Sequence, residues 1–296
     1  MLLLDKPPGL TSNTALQKAK RLYNAAKAGH AGTLDPFASG LLLICFGQAT
    51  KFSSYTLHGD KAYRAVLKLG TTTDTGDTEG KIIESRPVAV SRETVSALLP
   101  RFTGHIQQVP PMHSALKHRG KPLYEYARAG IVIERKPRAI TIFRLDVESL
   151  EGDLLTINVH SSGGTYIRTL AEDIGAALGC GAHLIALERL ASGSFVLDHA
   201  VNLETLESSN QTERMERLLA PDALVAHLPR LDVNADAALQ LTQGKHIHTS
   251  GDLPDQAIVR IYAPQGFLGL ANSQGGELAP ARLMATRAQE RCLTMA

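Results

Sequence analysis

The apolar residues of this chain come in short runs, the longest of which covers residues 41–46. A helix that crosses a membrane needs about 20 mostly apolar residues, so this run is far too short to span one. Hydrophobic residues nevertheless make up 44% of the 296 residues and charged residues 20%, a balance that argues against disorder, collagen and coiled coil. The chain is therefore expected to form a packed core, with enough length for two domains.

The cysteines argue for a reducing compartment. Cys45, Cys180 and Cys292 are widely spaced and contain no CxxC pair. An odd number without such a pair is evidence against a disulfide framework and a zinc ribbon. The first residues have neither a basic segment nor an apolar stretch long enough for a signal peptide. The expected location is the cytoplasm.

Basic residues are concentrated in two blocks, although the formal net charge is only +2. Residues 1–64 hold eight Lys and Arg against three Asp and Glu, and residues 101–144 hold nine against two. The remaining residues up to 229 hold eight against eighteen, and residues 230–296 are balanced. Two basic blocks in an otherwise acidic protein favour nucleic acid as a partner, because neutralised phosphates supply most of the affinity. The alternative is a pair of solvated helix faces.

Hydrophobic periodicity predicts a mixture of helices and strands. A capping box at Thr14 and Gln17 opens a helix that is expected to end at Gly29. The other helices are expected at residues 91–99, 165–178 and about 203–220. Strands are expected at residues 2–4, 61–70, 81–84, 139–147 and 154–160, and residues 41–46 are a buried strand or helix segment.

Two segments depart from this pattern. Residues 103–137 are basic and rich in Pro, Gly and His, with one short helical pattern near residues 123–129. They are interpreted as an insertion or mobile arm. From residue 231 the chain changes to short strand patterns and Gly-rich turns, which predicts a small all-β C-terminal module.

Asp35 is a candidate active-site carboxylate in the glycine-rich loop of residues 29–40. Pro36 drives the backbone of Asp35 toward an extended conformation, which fixes the direction of its side chain. The small neighbours allow a ligand or another backbone to approach closely. Such a carboxylate could act as nucleophile, base or ligand. The alternative is a structural turn, since Asp-Pro is a common turn start.

Arg168 is a candidate anion clamp near the start of the helix that follows Gly163 and Gly164. Its guanidinium could hold a carboxylate or phosphate through paired hydrogen bonds, or form a surface pair with Glu172 one turn later. Tyr63 and Tyr166 could stack on a base or belong to the core.

Metal and nucleotide-cofactor chemistry find no support in the sequence. His30 is a lone histidine without partners at metal spacing, and His246 and His248 lack a third ligand, so zinc is not expected. The acidic residues within 73–80 have the wrong spacing for a calcium loop or a metal hydrolase. The motifs GxGxxG and GxxxxGKS/T are absent.

The loop of residues 29–40, GHAGTLDPFASG, closely resembles the signature GHxGTLDPxAxG of the TruB-type tRNA pseudouridine synthases. Further motifs of this family follow in the family's order and extend the resemblance over about residues 1–190. They are LLLDKPPG at 2–9, KAYR at 61–64 with LGTTTDTGD at 69–77, PMHSALK at 111–117, and GTYIR at 164–168 with GCGAH at 179–183. Residues 231–296 resemble, more weakly, the PUA-like RNA-binding module of bacterial members.

The resemblance implies roles for the candidate residues. Asp35 is implied to be the catalytic nucleophile and Arg168 the ion-pair partner that orients it. Tyr63 is implied to stack against the target uracil and assist proton transfer at C5, while Tyr166 and Leu187 line the uridine pocket. Because burial raises the pKa of a carboxylate and a guanidinium lowers it, Asp35 and Arg168 are predicted to form a buried pair.

Other residues are implied to support the site or hold RNA. His30 is implied to move into the space that the flipped base vacates, and Lys6 and Pro7 to support the loop of Asp35. The expected phosphate-binding residues are Lys18, Lys20, Arg21, Lys117, Arg119 and Lys121.

At the level of the whole chain, the resemblance implies an α+β protein with the pseudouridine synthase fold, a central mixed, mainly antiparallel sheet flanked by helices and loops. Residues 1–228 are expected to form the catalytic domain, with 103–137 as its RNA-gripping basic insertion, and residues 231–296 the PUA-like module. The implied substrate is uridine 55 in the TΨC stem-loop of tRNA, with no cofactor, no metal, no membrane, no required protein partner and a monomeric state. The alternative is a non-catalytic RNA chaperone or RNA-binding protein on the same fold, which would keep the basic blocks but lack Asp35 or Arg168.

Overall fold

A computed structural model describes residues 1–57, 59–248 and 255–284. Cys45 and Cys180 are buried free thiols, and Cys292 lies outside the described residues. The helices are α1 (Ser12–Leu22), α2 (Ser54–Leu57), α3 (Arg92–Leu98), α4 (Leu123–Arg128), α5 (Ile167–Ala177), α6 (Leu203–Ser208), α7 (Gln211–Glu216) and α8 (Ala235–Thr242).

The strands fall into one large sheet, a C-terminal sheet and two short hairpins. Those up to the middle of the chain are β1 (Leu2–Lys6), β2 (Ala28–Ala31), β3 (Ser39–Phe46), β4 (Lys61–Leu69), β5 (Thr71–Thr73), β6 (Ile82–Ser85), β7 (Gly104–Gln108), β8 (Lys117–His118), β9 (Lys121–Pro122) and β10 (Arg138–Glu151). The others are β11 (Leu154–Ser161), β12 (Ala182–Ser192), β13 (Phe195–Val196), β14 (Val201–Asn202), β15 (Arg230–Asp232), β16 (Ile247–His248), β17 (Ala257–Ala263), β18 (Gly266–Gln274) and β19 (Glu277–Leu283).

The large sheet has the strand order β14-β1-β3-β12-β4-β11-β10-β7, with β2 paired to β3 and β13 paired to β12. The pairs β1–β14 and β3–β12 are parallel, and the other pairs in this sheet are antiparallel. The prediction of a central mixed, mainly antiparallel sheet is therefore confirmed.

The alternation predicted for residues 61–70 is present in β4. Tyr63, Ala65 and Leu67 are buried on one face, whereas Arg64 is exposed on the other. The buried face joins the main core, to which α1 and α5 contribute their apolar sides. This packing brings the start of α5 over the same sheet face as Tyr63.

The C-terminal module has a five-stranded sheet of order β15-β17-β18-β19-β16. The predicted strands are confirmed, but the module is not all-β, because α8 lies between β15 and β16. Asn234 caps this helix by accepting a hydrogen bond from the Ala237 amide at 2.9 Å. Asparagine is a preferred residue at that position, so the signal for this helix was present in the sequence.

The module shares a hydrophobic core with the large sheet. Leu270 and Phe267 of β18 pack in the same cluster as Leu41 and Leu43 of β3. The Lys51 ammonium donates a hydrogen bond to the Leu283 carbonyl at 2.8 Å. The two sheets are thus held together by apolar and polar contacts.

Several predicted boundaries were wrong. Helix α1 begins two residues before Thr14, because the Thr11 hydroxyl accepts the Thr14 amide at 3.0 Å. The helix ends at Leu22, and Asn24 has a left-handed φ of +46°, a common way to end a helix. Gly29 therefore belongs to β2 rather than to a helix end, and the loop predicted at residues 29–40 begins with that strand.

The segment predicted as one charged helix also differs in the structure. Residues 203–220 form two short helices, α6 and α7, because Asn210 begins a new capping box with Glu213. The insertion contains β7, the hairpin β8–β9 and α4. The short helix predicted near residues 123–129 is confirmed as α4.

Candidate active site

Asp35 lies in the loop between β2 and β3, and the start of α1 holds the residue before it. The Ser12 hydroxyl donates to the Leu34 carbonyl at 2.9 Å and accepts the Leu34 amide at 2.8 Å. Ser12 is only 2% exposed. This double hydrogen bond fixes the backbone next to Asp35.

A buried arginine ties the start of this Asp35 loop (residues 32–38), and the strand β3 that follows the loop, to β12. Arg189 of β12 is 1% exposed, and its guanidinium donates to the Leu41 carbonyl at 2.7 Å and to the Gly32 carbonyl at 3.1 Å. Gly40 allows β3 to approach β12, because it has a φ of +96° and a Cβ atom there would lie 2.5 Å from the Arg189 carbonyl oxygen.

Lys6 lies behind the Asp35 loop and is fully buried. Its ammonium donates to the carbonyls of Leu10 at 2.7 Å, Pro7 at 2.9 Å and Pro36 at 3.4 Å. Burial lowers the pKa of Lys6 to about 8, while the charge of Asp35 acts in the opposite direction. The lysine thus links the turn at Pro7 to the residue that follows Asp35.

Arg168 contacts Asp35 from the first turn of α5. Its Nε atom lies 3.1 Å from Asp35 Oδ2, and its Nη1 atom lies 3.3 Å from Asp77 Oδ2. Nη2 donates to the His113 carbonyl at 2.6 Å, and Nη1 to the Thr75 carbonyl at 3.2 Å. The Arg168 side chain is 7% exposed. The ion partners of Arg168 are therefore aspartates from two loops, not the Glu172 considered as an alternative.

In the predicted pair of Asp35 and Arg168, the arginine is buried and the aspartate is partly exposed. The Asp35 side chain is 34% exposed, which leaves its carboxylate accessible from a cavity. Burial raises the pKa of Asp35 and outweighs the opposing effect of Arg168, and the nearby Asp77 raises it further. One guanidinium therefore balances two carboxylates.

Asp77 is a site residue that the sequence reasoning missed. It is 2% exposed, and its Oδ1 atom accepts from the Thr75 hydroxyl at 2.5 Å and from the Glu79 amide at 3.0 Å. The available signal was its place at the end of the 69–77 motif. That Arg168 uses it as a second carboxylate is visible only in three dimensions, because a guanidinium has five donors to satisfy.

The residues predicted to line the uridine pocket converge on one cavity of about 150 Å³. Its walls include Asp35, Arg168, Tyr63, Tyr166 and Leu187. A cavity of about this size can hold a six-membered ring. Burial raises the pKa of Tyr166, so its hydroxyl stays protonated at neutral pH.

A second cavity, of about 390 Å³, also reaches Asp35 and Arg168. His30 lines it, and Tyr124 and Arg128 bring α4 of the insertion to its wall. Within the described part of the chain, His30 Nδ1 is buried without a hydrogen-bond partner. Burial and the charge of Arg189 lower the pKa of His30, which favours the neutral ring.

The predicted phosphate-binding residues lie on two surfaces. Lys117 and Lys121 lie on the two strands of the β8–β9 hairpin, whose two-residue turn, Arg119 and Gly120, has positive φ at both residues, +49° and +84°. Lys117, Arg119 and Lys121 are exposed. On α1, Lys20 and Arg21 lie in the last turn. Lys18 is partly engaged, because its ammonium lies 3.8 Å from Glu207.

Over residues 1–57, 59–248 and 255–284, no three His, Cys, Asp or Glu side chains are grouped closely enough to hold a metal ion. In the same ranges, every helix is too short or too polar to cross a membrane.

Comparison with known families covers most of the chain. A model of the TruB family pseudouridylate synthase N-terminal domain matches residues 20–167. A model of the tRNA pseudouridylate synthase B C-terminal domain matches residues 168–229, and one of the pseudouridine synthase II TruB C-terminus matches residues 229–284.

Solved structures with a similar fold include the Cbf5 protein of a Cbf5-Nop10-Gar1 complex. That chain is 25% identical, has a TM-score of 0.74, and the match covers 97% of this chain and 85% of the other. The archaeal box H/ACA sRNP Nop10-Cbf5 complex gives 24% identity and a TM-score of 0.73, over 97% and 86% of the two chains. These similarities confirm the predicted pseudouridine synthase fold.

Sequence relatives are much closer. A tRNA pseudouridine synthase B from Thiobacillus denitrificans is 54% identical over 97% of this chain and 96% of its own length. The tRNA pseudouridine synthase B of Dechloromonas aromatica is 54% identical over 96% and 95% of the two chains. Because more than half of its residues are identical to those of these relatives along nearly the whole length, the chain belongs to the TruB family of pseudouridine synthases.

Proposed function

We propose that this protein isomerises uridine 55 in the TΨC stem-loop of tRNA to pseudouridine, with Asp35 as the nucleophile. The observation that carries the proposal is the contact of 3.1 Å between Arg168 and Asp35 at a cavity that Tyr63 also lines. The names of the relatives support tRNA as the substrate.

The reaction changes the atom of the base that is bonded to the ribose. The N1–C1′ bond of uridine breaks, the free base turns, and C5 bonds to C1′ while its proton leaves and N1 gains a proton. Asp35 either attacks C1′ and relieves the developing positive charge there, or adds to the base ring. The product is an isomer of the substrate, because the proton lost from C5 is matched by the one gained at N1. The reaction involves no oxidation and no transfer of a group to another molecule, so the proposal requires neither a cofactor nor a metal.

The carboxylate must be ionised to act, although burial raises its pKa. Arg168 and Lys6 favour the ionised form, and Arg168 also orients the carboxylate through Nε. The double hydrogen bond between Ser12 and Leu34 holds the backbone of the loop. Asp35 is therefore positioned before the substrate binds, which lowers the entropic cost of reaching the transition state.

The target uridine must leave its stack to reach this cavity, at a cost of a few kcal/mol. Stacking on Tyr63 would return about 1–3 kcal/mol of this. His30 is placed beside the same loop with a neutral ring, and we assign it to the space that the base vacates. Tyr166 and Leu187 complete the pocket wall, and Pro7 and Lys6 support the loop from behind.

The proposal divides the chain into a catalytic domain and an RNA-binding module. Residues 1–228 form the catalytic domain in this proposal, with the insertion 103–137 gripping RNA, and residues 231–296 form the PUA-like RNA-binding module. We further propose that the protein acts as a monomer in the cytoplasm without a required protein partner.

The proposal predicts one modification in an unmodified tRNA transcript. Incubation with the purified protein should place pseudouridine at position 55, mapped by mass spectrometry of nuclease fragments. A transcript with cytidine at position 55 is the control and should stay unmodified. Pseudouridine at another position would contradict the assigned target, and none at all with folded protein would contradict the activity.

Removing the charges of the hairpin should weaken binding rather than chemistry. With Lys117, Arg119 and Lys121 replaced by alanine, we expect KM for tRNA to rise about tenfold with kcat within about twofold, and a shallower salt dependence, because fewer counterions are released. Steady-state kinetics at several salt concentrations would measure this.

A control variant removes the same charge from exposed Lys81, Arg92 and Arg217, which line neither cavity and lie outside the segments assigned to RNA binding. Its KM should change less than that of the hairpin variant. A loss confined to kcat in the hairpin variant would contradict the assignment of these residues to phosphate binding.

A further inference from the structure

Gln108 makes a closed pair of hydrogen bonds with the backbone of Tyr166. Its side-chain oxygen accepts the Tyr166 amide at 2.8 Å, and its side-chain nitrogen donates to the Tyr166 carbonyl at 3.0 Å. Gln108 is 3% exposed, so water competes little for these bonds. A buried amide that satisfies both backbone groups of one residue fixes that residue in position and orientation.

Tyr166 is a critical place for such a restraint. It is the N-cap of α5, and its own side chain makes no capping hydrogen bond. The amides at the start of a helix lack partners within the helix. Gln108 of β7 supplies the acceptor for the Tyr166 amide. The Tyr166 ring lines the 150 Å³ cavity, and Arg168 follows two residues later. Fixing the backbone of Tyr166 therefore fixes a pocket wall and the origin of the guanidinium.

The same glutamine lies near the start of the insertion of residues 103–137. Gln108 is the last residue of β7, and five residues later the His113 carbonyl accepts from Arg168 at 2.6 Å. Ala115 then lines the cavity beside Tyr166. The first residues of the insertion are thus bonded to the start of α5 at positions 166 and 168.

From this geometry we propose that Gln108 is a positioning residue for the reaction, which holds Tyr166 and the first turn of α5 in register with the Asp35 loop and with the base of the insertion. The inference rests on the proposed function, because it concerns the efficiency of that same site. Gln108 itself lines neither cavity that reaches Asp35, so it acts through Tyr166.

An exposed glutamine outside the insertion provides the control. Gln211 is the first residue of α7 and lines neither cavity that reaches Asp35. We expect Gln108→Ala to lower the single-turnover rate of pseudouridine formation about 10- to 100-fold, since small misplacements of reacting groups cost rates of this order. The Kd for tRNA should stay within about threefold, and Gln211→Ala should match the wild type in both the rate and the Kd.

A second variant tests the hydrogen bonds themselves. In Gln108→Glu, an ionised carboxylate can still accept the Tyr166 amide but cannot donate to the Tyr166 carbonyl, whereas a protonated carboxyl can do both. Its rate relative to the wild type at the same pH should therefore rise as the pH falls from 8 to 5.5. Taking the ratio at each pH removes the titration of Asp35, and each rate is measured well below the unfolding temperature of that variant.

The possible outcomes separate the two proposals. If the wild type forms no pseudouridine, the proposed function fails. If the wild type and Gln211→Ala are active and Gln108→Ala keeps a rate within twofold of theirs, the inference about Gln108 is wrong. It is also wrong if Gln108→Ala loses only tRNA affinity. Should that variant not fold, a ratio for Gln108→Glu that is independent of pH would overturn the inference.

Discussion

Replacing Asp35 by asparagine should lower the rate of pseudouridine formation at least about 10⁴-fold while leaving the Kd for tRNA within about tenfold of the wild type. Asparagine keeps the size of the side chain but cannot act as a nucleophile, and loss of a nucleophile commonly costs this much or more. The C5 proton leaves during the reaction, so release of tritium from 5-tritiated uridine in tRNA measures the rate. Binding should survive because most of the affinity comes from phosphate contacts.

The control is Asp60→Asn, which removes an exposed carboxylate that lines neither cavity at Asp35. It should retain the wild-type rate. A rate for the Asp35 variant near that of the control would refute the nucleophile. If the wild type and both variants bind and refold tRNA but none forms pseudouridine, the alternative of an RNA chaperone is favoured.

Much of this site could be predicted from the sequence because the residues of each motif are close neighbours along the chain. Asp35, with its glycine-rich neighbours and Pro36, and the GTYIR segment that ends at Arg168 are local patterns. The fold places these segments at one cavity, as the resemblance implied. Their catalytic and binding roles stay predictions.

The residues that hold the site could not be predicted in the same way. In the sequence, nothing distinguishes Arg189 from an exposed charged residue. In the structure it is buried and donates hydrogen bonds to the carbonyls of Gly32 and Leu41, about 150 positions earlier in the chain. Gln108 differs from Gln107 only in the direction of its side chain. Such roles depend on strand pairing and register, and one residue of register reverses which side chain is buried.

The second large effect is expected at Arg168. In Arg168→Met, Asp35 and Asp77 lose the cation that contacts both. Removing one partner of a buried ion pair leaves an uncompensated charge, and we expect the free energy of unfolding at pH 8 to fall by about 3 kcal/mol, near the low end of such effects because Asp35 is partly exposed. Pseudouridine formation should fall at least about 10³-fold, because the carboxylate loses its orientation and its stabilised ionised form.

The pH dependence of this variant has a definite sign. Burial and Asp77 raise the pKa of Asp35, and Arg168 opposes them, so removing Arg168 raises that pKa further. A carboxyl with a raised pKa binds protons more readily in the folded state, so the folded state is destabilised as the pH rises. The stability deficit relative to the wild type should therefore be larger at pH 8 than at pH 5, as urea unfolding would show. Residual activity of the variant should increase from pH 5 to pH 8, although its stability falls, because more of Asp35 is ionised at the higher pH.

A double variant separates charge balance from orientation. Asp77→Asn combined with Arg168→Met removes one of the two uncompensated carboxylates, and should recover part of the lost stability at pH 8. It should not recover the reaction rate, because Asp35 still lacks the Nε contact that holds its carboxylate toward the cavity. Arg168→Lys keeps a positive charge but cannot reach both aspartates with a planar fork, so its rate should lie between those of the wild type and the methionine variant. Recovery of the full rate in the double variant would show that Arg168 serves only to balance charge.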